Sequence, residues 1–406
     1  MKNSISLLIG SSFLMATLFA CSNDQEVKDA ISKRNDSTNI QSTDTSVSLS
    51  QKNLSPVDSF YNNMTQLIGG KLDLLKIESG WDENFVKQYC KKVDEKYAKI
   101  ETSRLKKVGD WNYENLKRNN QSDTSFVFYP FSGGDFIHLN WMYPNATEYL
   151  MVAREDVGNI PDLRKKDSKY VNKYLNDVDT VLRDIYYKSY FITKNMNTDT
   201  KVRTLVNGML PLILWAVSRT NHEVLSVKFA NVNSKGELEF LDTKSGAKKS
   251  DAVQVVLRKP GSEINKTLTY LSCNIADDGF KEQPKFYTFL KNTVKENCNS
   301  FVKSASYLLH YGSFEQIRNL IKKKSEFLVQ DDTGIPFRHF SREGGWKVEL
   351  FGKYEKPVKD FSENLYQADL DSAYRSDAFY KGPIDFSLGY HWGSKNQNQM
   401  VIKKIK

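Results

Sequence analysis

The chain has 406 residues, 39 % of them hydrophobic and 12 % aromatic, and a formal charge of +9. That is enough apolar material for a substantial core, in one large domain or two modest ones. The basic residues are scattered among acids rather than gathered in a stripe, which argues against a nucleic-acid partner; the four cysteines form no CxxC pair and no Cys/His spacing, which argues against zinc.

In chain order, Lys2 is followed by an apolar run from Ile5 to Phe19 that is too short to span a bilayer and is flanked like an export signal. Leu18, Ala20 and Cys21 resemble a bacterial lipobox, with Phe19 a less usual choice between them. The resemblance implies that residues 1–20 are a signal peptide and that Cys21 is acylated, so the membrane is a partner through an N-terminal lipid. Acyl chains contribute about 0.8 kcal/mol per buried methylene, and two or three of them anchor stably. Ser22 in place of Asp argues by the same resemblance against inner-membrane retention, and Asn23-Asp24-Gln25-Glu26 resembles an acidic surface-export signal. The expected location is therefore the bacterial outer membrane, at its periplasmic face or at the cell surface. Residues 21–52 are Ser, Thr, Asn, Asp and Gln with few large apolar side chains, a disordered tether that cannot offset its ordering entropy.

Residues 53–406 are expected to form a single α/β domain whose first part, 53–120, is helical. Phe60, Met64, Leu67 and Ile68 keep helical spacing after Asp58; Asp82 caps a longer helix with Phe85, Val86, Tyr89, Val93, Tyr97 and Ile100 on one face. The apolar run Phe126–Phe131, the turn Ser132-Gly133-Gly134-Asp135, an amphipathic stretch and the run Tyr149–Ala153 predict one parallel βαβ step. Val171 to Ile185 is a clean amphipathic helix, and a second apolar helix runs from about Val202 to Val217, with a kink expected at Pro211. Alternation at Leu225, Val227 and Phe229, then Leu238 and Phe240, Val253 to Leu257, and Leu268 to Ser272 predicts an antiparallel meander. A helix starts near Pro284, Phe301–His310 fits strand or helix equally, and Ser313 is read as the cap of a helix ending at Lys322-Lys323-Lys324. Strands follow at Phe327–Val329 and Trp346–Phe351, and the tail from Asp360 reads as irregular. The fold class is α/β: a mixed sheet with a Rossmann-like βαβ step, an antiparallel meander and N-terminal helices packed on it. Cys273–Cys298 is the one disulfide worth testing in an exported protein, with a buried free thiol as the default for each cysteine.

Two places carry candidate chemistry. Ser132, Gly133, Gly134 and Asp135 form a glycine turn between strand and helix, and Glu155 and Asp156 close the next strand, where an acid can hold ribose hydroxyls. The layout resembles nucleotide- and S-adenosylmethionine-binding Rossmann-like proteins over about thirty residues by its βαβ extent. It departs from them in having neither GxGxxG nor GxGxG spacing, and Asp135 stands where a phosphate would sit; a tight turn with Asp135 as a helix cap is the simpler reading. No cofactor is expected, because nucleotide cofactors are not supplied outside the cytoplasm.

The second place is Asp331-Asp332-Thr333-Gly334 at a strand end, with Arg338 behind it. Its carboxylates suit acid–base work, but the same residues are good turn chemistry. Lys303, Tyr307 and His310 face that crevice only if their segment is a strand ending nearby; otherwise Lys303 snorkels and Tyr307 edges the core. There is no GxSxG elbow, P-loop, HExxH or EF-hand loop, and no metal site is expected.

The blocks Tyr129–Asp135, Lys303–Leu308 and Gln330–Pro336 resemble those of an uncharacterised family of bacterial envelope proteins, which implies one continuous domain and no particular chemistry. Two functions stay open. One is a non-catalytic, lipid-anchored envelope protein that binds a ligand, an acidic glycan or another envelope protein. The other is an envelope hydrolase or transferase working at the C-terminal edge of the sheet.

Overall fold

A computed structural model describes residues 55–116, 125–242, 250–393 and 397–405. Residues 1–20, expected to be a signal peptide, and residues 21–52, expected to be a tether beginning at Cys21, lie outside the described residues. Leu54–Lys406 forms one compact unit.

Helix α1 (Ser59–Gly69) starts where the Asp58 carboxylate accepts from the backbone N–H groups of Phe60 and Tyr61, both at 3.0 Å, and stops at Gly70 in the left-handed region. Asp82 caps α2 (Glu83–Ile100) in the same way. A π-helical turn, Glu101–Leu105, joins α2 to α3 (Lys106–Asn115). Then comes the βαβ step: β1 (Phe126–Pro130), α4 (Phe136–Met142) and β2 (Glu148–Ala153), with the two strands parallel and Val127 opposite Tyr149.

Helices α5 (Ser168–Val181), α6 (Arg183–Lys188) and α7 (Thr193–Thr198) follow. The apolar helix α8 spans only Leu210–Arg219. Pro211 sits in its first turn, where a missing N–H costs nothing, so it starts the helix and does not kink it as expected. The stretch before α8 is used instead for a close approach: Gly208 lies so near Gly158 that a Cβ on it would stand 2.5 Å from the Gly158 Cα.

The meander is β3 (Glu223–Val232), β4 (Leu238–Phe240), β5 (Ala252–Arg258) and β6 (Asn265–Ser272), antiparallel throughout, and β6 returns beside β2 in parallel. After α9 (Asp277–Glu282) and α10 (Pro284–Thr293), the ambiguous Phe301 segment proves to be the end of β7 (Cys298–Val302) followed by a strained turn and a short 3-10 turn at Leu308–His310. Ser313 does not cap α11 (Glu315–Lys324). It lies in a 3-10 turn, and the Asp277 carboxylate takes the N–H groups of Glu315 and Gln316 from outside.

Beyond β8 (Ser325–Gln330), α12 (Arg338–Ser341) and β9 (Trp346–Gly352), the tail is not irregular. It forms α13 (Ala368–Tyr374), β10 (Tyr380–Gly382) and β11 (Asn398–Lys404), and β11 inserts antiparallel between β8 and β9.

The sheet order is β10-β9-β11-β8-β7-β1-β2-β6-β5-β3-β4. Its middle, β8-β7-β1-β2-β6, is parallel. Counted along the chain, those five strands read 3-2-1-4-5 from the β6 side, the order of doubly wound dinucleotide-binding sheets. Alternate residues point to opposite faces: Val127, Tyr129, Tyr149 and Met151 pack under α1–α8, while Phe126, Phe128, Leu150 and Val152 pack under α9–α13. The direction of winding reverses between β1 and β7, and the chain leaves a crevice there.

Cys273 and Cys298, the one pair worth testing, are not bonded. Cys90, Cys273 and Cys298 are buried free thiols, and burial pushes the Cys90 thiol up to about 11.

Candidate active site at the strand switch point

A cavity of about 410 Å³ opens where β1, β2, β6 and β7 end. Its walls are aromatic, chiefly Phe131, Tyr190, Phe191, Phe314 and Tyr390. A cleft of about 710 Å³ at the ends of β9 and β10 is larger but lies away from the ends of β1, β2, β6 and β7, and size alone does not mark a site.

Backbone strain singles out the smaller cavity. Phe131, Ser304 and Ser306, with φ of 61°, 56° and 54°, line it, and Ser189 (68°) and Tyr307 (57°) stand behind. Among the described residues the only other non-glycine residues with positive φ are Asn221 and Asn297, a residue type that tolerates the left-handed region. Each such conformation costs on the order of 1–3 kcal/mol, and strain of this kind gathers at functional sites.

Its floor is ionic. Asp135 caps α4, accepting from the His138 N–H (3.3 Å), from His138 Nδ1 (2.7 Å) and from the Tyr129 hydroxyl (3.1 Å). Lys303 Nζ lies 2.5 Å from Asp135 Oδ2, the oxygen that also accepts from Tyr129, and donates to the Ser189 carbonyl. Lys303 and Asp135 are 2 % and 1 % exposed, so Lys303 is a buried ion-pair partner and does not snorkel. Burial alone would raise Asp135; His138 and Lys303 outweigh it and hold the carboxyl at about 2. His138 itself is driven down to about 4 by burial, against the pull of Asp135. Burial pushes the Lys303 amine below its ordinary value, with Asp135 pulling the other way. The glycine turn does not fit a pyrophosphate, because the Asp135 carboxylate already takes the N-terminal N–H of this short helix.

Glu155, just past β2, also lines the cavity. It is 5 % exposed, and no hydrogen bond or ion pair to its carboxylate forms among the described residues. Its carboxylate oxygens are therefore left to the cavity, open to a hydrogen-bond donor.

The Asp331–Asp332 pair forms a second, sealed network. Asp331 accepts from Thr333 N–H (3.0 Å), the Thr333 hydroxyl (2.5 Å) and Ser304 N–H (3.2 Å). Asp332 accepts from the Tyr307 hydroxyl (2.6 Å), His391 Nε2 (2.7 Å) and Asn398 (2.9 Å). Burial first and the neighbouring Asp332 second raise Asp331 to about 6, while hydrogen bonds from His391, Tyr307 and Asn398 overcome burial to lower Asp332. His391 is raised despite burial by Asp332, and burial followed by Asp332 raises Tyr307. The segment Gly389–His391 covers this network. A Cβ on Gly389 (φ +70°) would stand 2.7 Å from an Asp331 oxygen and 2.9 Å from Ser304 Oγ.

Of the residues singled out from sequence, Ser132, Gly133, Asp135, Glu155 and Lys303 meet in one cavity. Gly134 packs against Leu212 instead, and Asp156 is exposed. Asp331, Asp332 and Tyr307 share the sealed network and do not line the cavity. His310 lies nearby with burial lowering it to about 4, and Arg338 is exposed on α12. Sequence reasoning missed His138, although an i,i+3 partner to a helix cap is a readable signal. It also missed Tyr190, Asn274, Tyr390, His391 and Asn398, which nothing local marks.

Among the described residues no group of three or more His, Cys, Asp or Glu could hold a metal ion, and no helix is long and apolar enough to cross a membrane. Comparison of the chain with protein-family models, curated proteins and solved structures finds no match.

Proposed function

We propose that this is a lipid-anchored protein of the bacterial envelope that binds a small ligand carrying neighbouring hydroxyl groups in the switch-point cavity. The observation that carries the reading is Glu155, a largely buried residue just past β2 that lines the aromatic-walled cavity and whose carboxylate has no partner among the described residues. Two adjacent hydroxyls donate to the two oxygens of one carboxylate, and an acid at this strand end is where open α/β sheets hold a ribose diol. Phe131, Tyr190 and Tyr390 supply flat surfaces for a ring.

Calorimetric titration with adenosine, other nucleosides and free sugars tests it. Diol-bearing compounds should bind saturably and their deoxy analogues should not. Glu155→Gln, which loses the charge and one acceptor, should weaken binding by roughly 10-fold or more, the equivalent of about 1.5–3 kcal/mol for a hydrogen bond to a charged group. Equal affinity in Glu155→Gln would sink the reading. Location is tested separately: Cys21→Ala should move the protein from the detergent-extracted envelope fraction to the soluble one, and globomycin should block its processing.

A second reading, an envelope hydrolase or transferase, is favoured by one feature, the Lys303–Asp135–His138 cluster at the cavity floor. Ionisable groups shifted by burial and by a specific partner gather where proton transfer is needed. Mass spectrometry of the bound ligand after prolonged incubation separates the readings, because a binding protein returns it unchanged.

A further inference from the structure

A cleft of about 680 Å³ lies at the opposite edge of the sheet from the switch-point cavity. It is bounded by Pro144 and Asn145 ahead of β2, by Thr220 and Asn221 ahead of β3, and by Lys259 after the antiparallel β5. All of these sit at the edge where the parallel strands begin. The π turn Glu101–Leu105 shapes the far wall, and π-helical insertions recur at functional sites.

Three rings face this space: Tyr97, Trp141 and Tyr113, the last 63 % exposed. Gly109 on α3 makes room for the Trp141 indole, since a Cβ there would stand 2.9 Å from Cε3 of the ring. Beside the rings stand two exposed amides, Asn145 and Asn221, while Asn112 and Asn140 are buried in the wall, Asn140 donating to the Tyr149 hydroxyl. The exposed amides of Asn145 and Asn221 offer a donor and an acceptor side by side, matched to neighbouring hydroxyls, and flat ring faces suit the C–H faces of sugars. Asn221 is held at φ +57°.

The charges of the cleft are balanced internally. Arg219 is ion-paired with Asp94 and lies 5.2 Å over the Tyr97 ring, and Asp110 is paired with Lys106 at 2.8 Å. Glu101 and Lys259 are left, one of each sign, so the lining attracts neither a polyanion nor a polycation.

We propose that this cleft is a second binding site, for an uncharged oligosaccharide. The occupant stacks sugar rings on Tyr113 and Trp141 and exchanges hydroxyl hydrogen bonds with Asn145 and Asn221. The site is independent of Glu155 and of whatever the switch-point cavity holds.

The test is calorimetric titration of the full-length protein in detergent micelles with cellohexaose, chitohexaose and maltohexaose, and with oligogalacturonate as the charged comparison. At least one neutral hexasaccharide should bind saturably and tighter than oligogalacturonate. Tyr113→Ala and Asn145→Ala, both at exposed positions, should each weaken binding at least tenfold with an unchanged thermal melt, while Glu155→Gln leaves it intact. Asn221→Gly keeps the left-handed backbone and should weaken binding as well, so the outcome does not rest on one variant's folding. Absence of saturable binding by all three neutral sugars, preference for oligogalacturonate, or full affinity in the Tyr113 and Asn145 variants would overturn the proposal.

Discussion

Replacing Lys303 by Met should lower the stability of the domain by about 3–5 kcal/mol, the cost of leaving one member of a buried ion pair uncompensated. Asp135 is the member left behind. It is 1 % exposed, and Lys303, 2.5 Å away, is its ion-pair partner. The double variant Asp135→Asn/Lys303→Met should recover most of that loss, because it removes the stranded charge along with its partner. Chemical denaturation of the two single variants and the double variant gives the coupling energy directly. Additive losses would mean that the pair is not held as described, and the switch-point cavity would then lack its ionic floor.

The second large effect is on pH. Burial drives His138 to about 4, His222 to about 3 and His310 to about 4, against an ordinary value of 6.5. A histidine lowered in the folded state binds its proton more readily unfolded, so stability is full above pH 6.5 and is lost as the pH falls toward the folded value. By pH 5 each of the three contributes a loss of about 2 kcal/mol, taking roughly 1.4 kcal/mol per pH unit. Asp331 works in the opposite direction. Raised to about 6, it favours the folded state on acidification and returns a little over 1 kcal/mol by pH 5. His391, raised by Asp332, is stabilising below pH 6.5 and loses that contribution only as the pH climbs through its folded value. The net expectation is a drop of roughly 4 kcal/mol between pH 7 and pH 5. His222 does not line the cavity and is bonded through Nδ1 to Thr220, so His222→Phe should flatten the acid limb by about half without touching the site. A stability profile that is level from pH 7 to 5 would show that these imidazoles are not buried neutral.

Much of the architecture is legible locally. Asp58 and Asp82 cap the helices that they announce, because a carboxylate can reach the free N–H groups of a first turn only from the residue just before it. The βαβ step and the meander follow from period-two runs flanked by turns, since one face of each strand must be apolar. The errors have equally local causes. Pro211 is ambiguous between starting and kinking a helix until the helix start is known. β11 hides because Asn398 and Gln399, polar in sequence, are buried, Asn398 as a donor to the Asp332 carboxylate.

The chain by itself determines its fold class, the turn after β1, and the acids that close β1, β2 and β8, because these depend on side-chain period and backbone preference within a few residues. Only the tertiary structure decides which of those acids share a space. Glu155 and Asp135 meet Lys303 across strands that lie side by side only after the sheet reverses its winding, whereas Asp331 and Asp332 are closed over by Gly389–His391 from the far end of the chain. Partners 59 or more residues apart leave no periodic mark, and a carboxylate reads the same in sequence whether its neighbour is an ammonium, a turn or an empty wall.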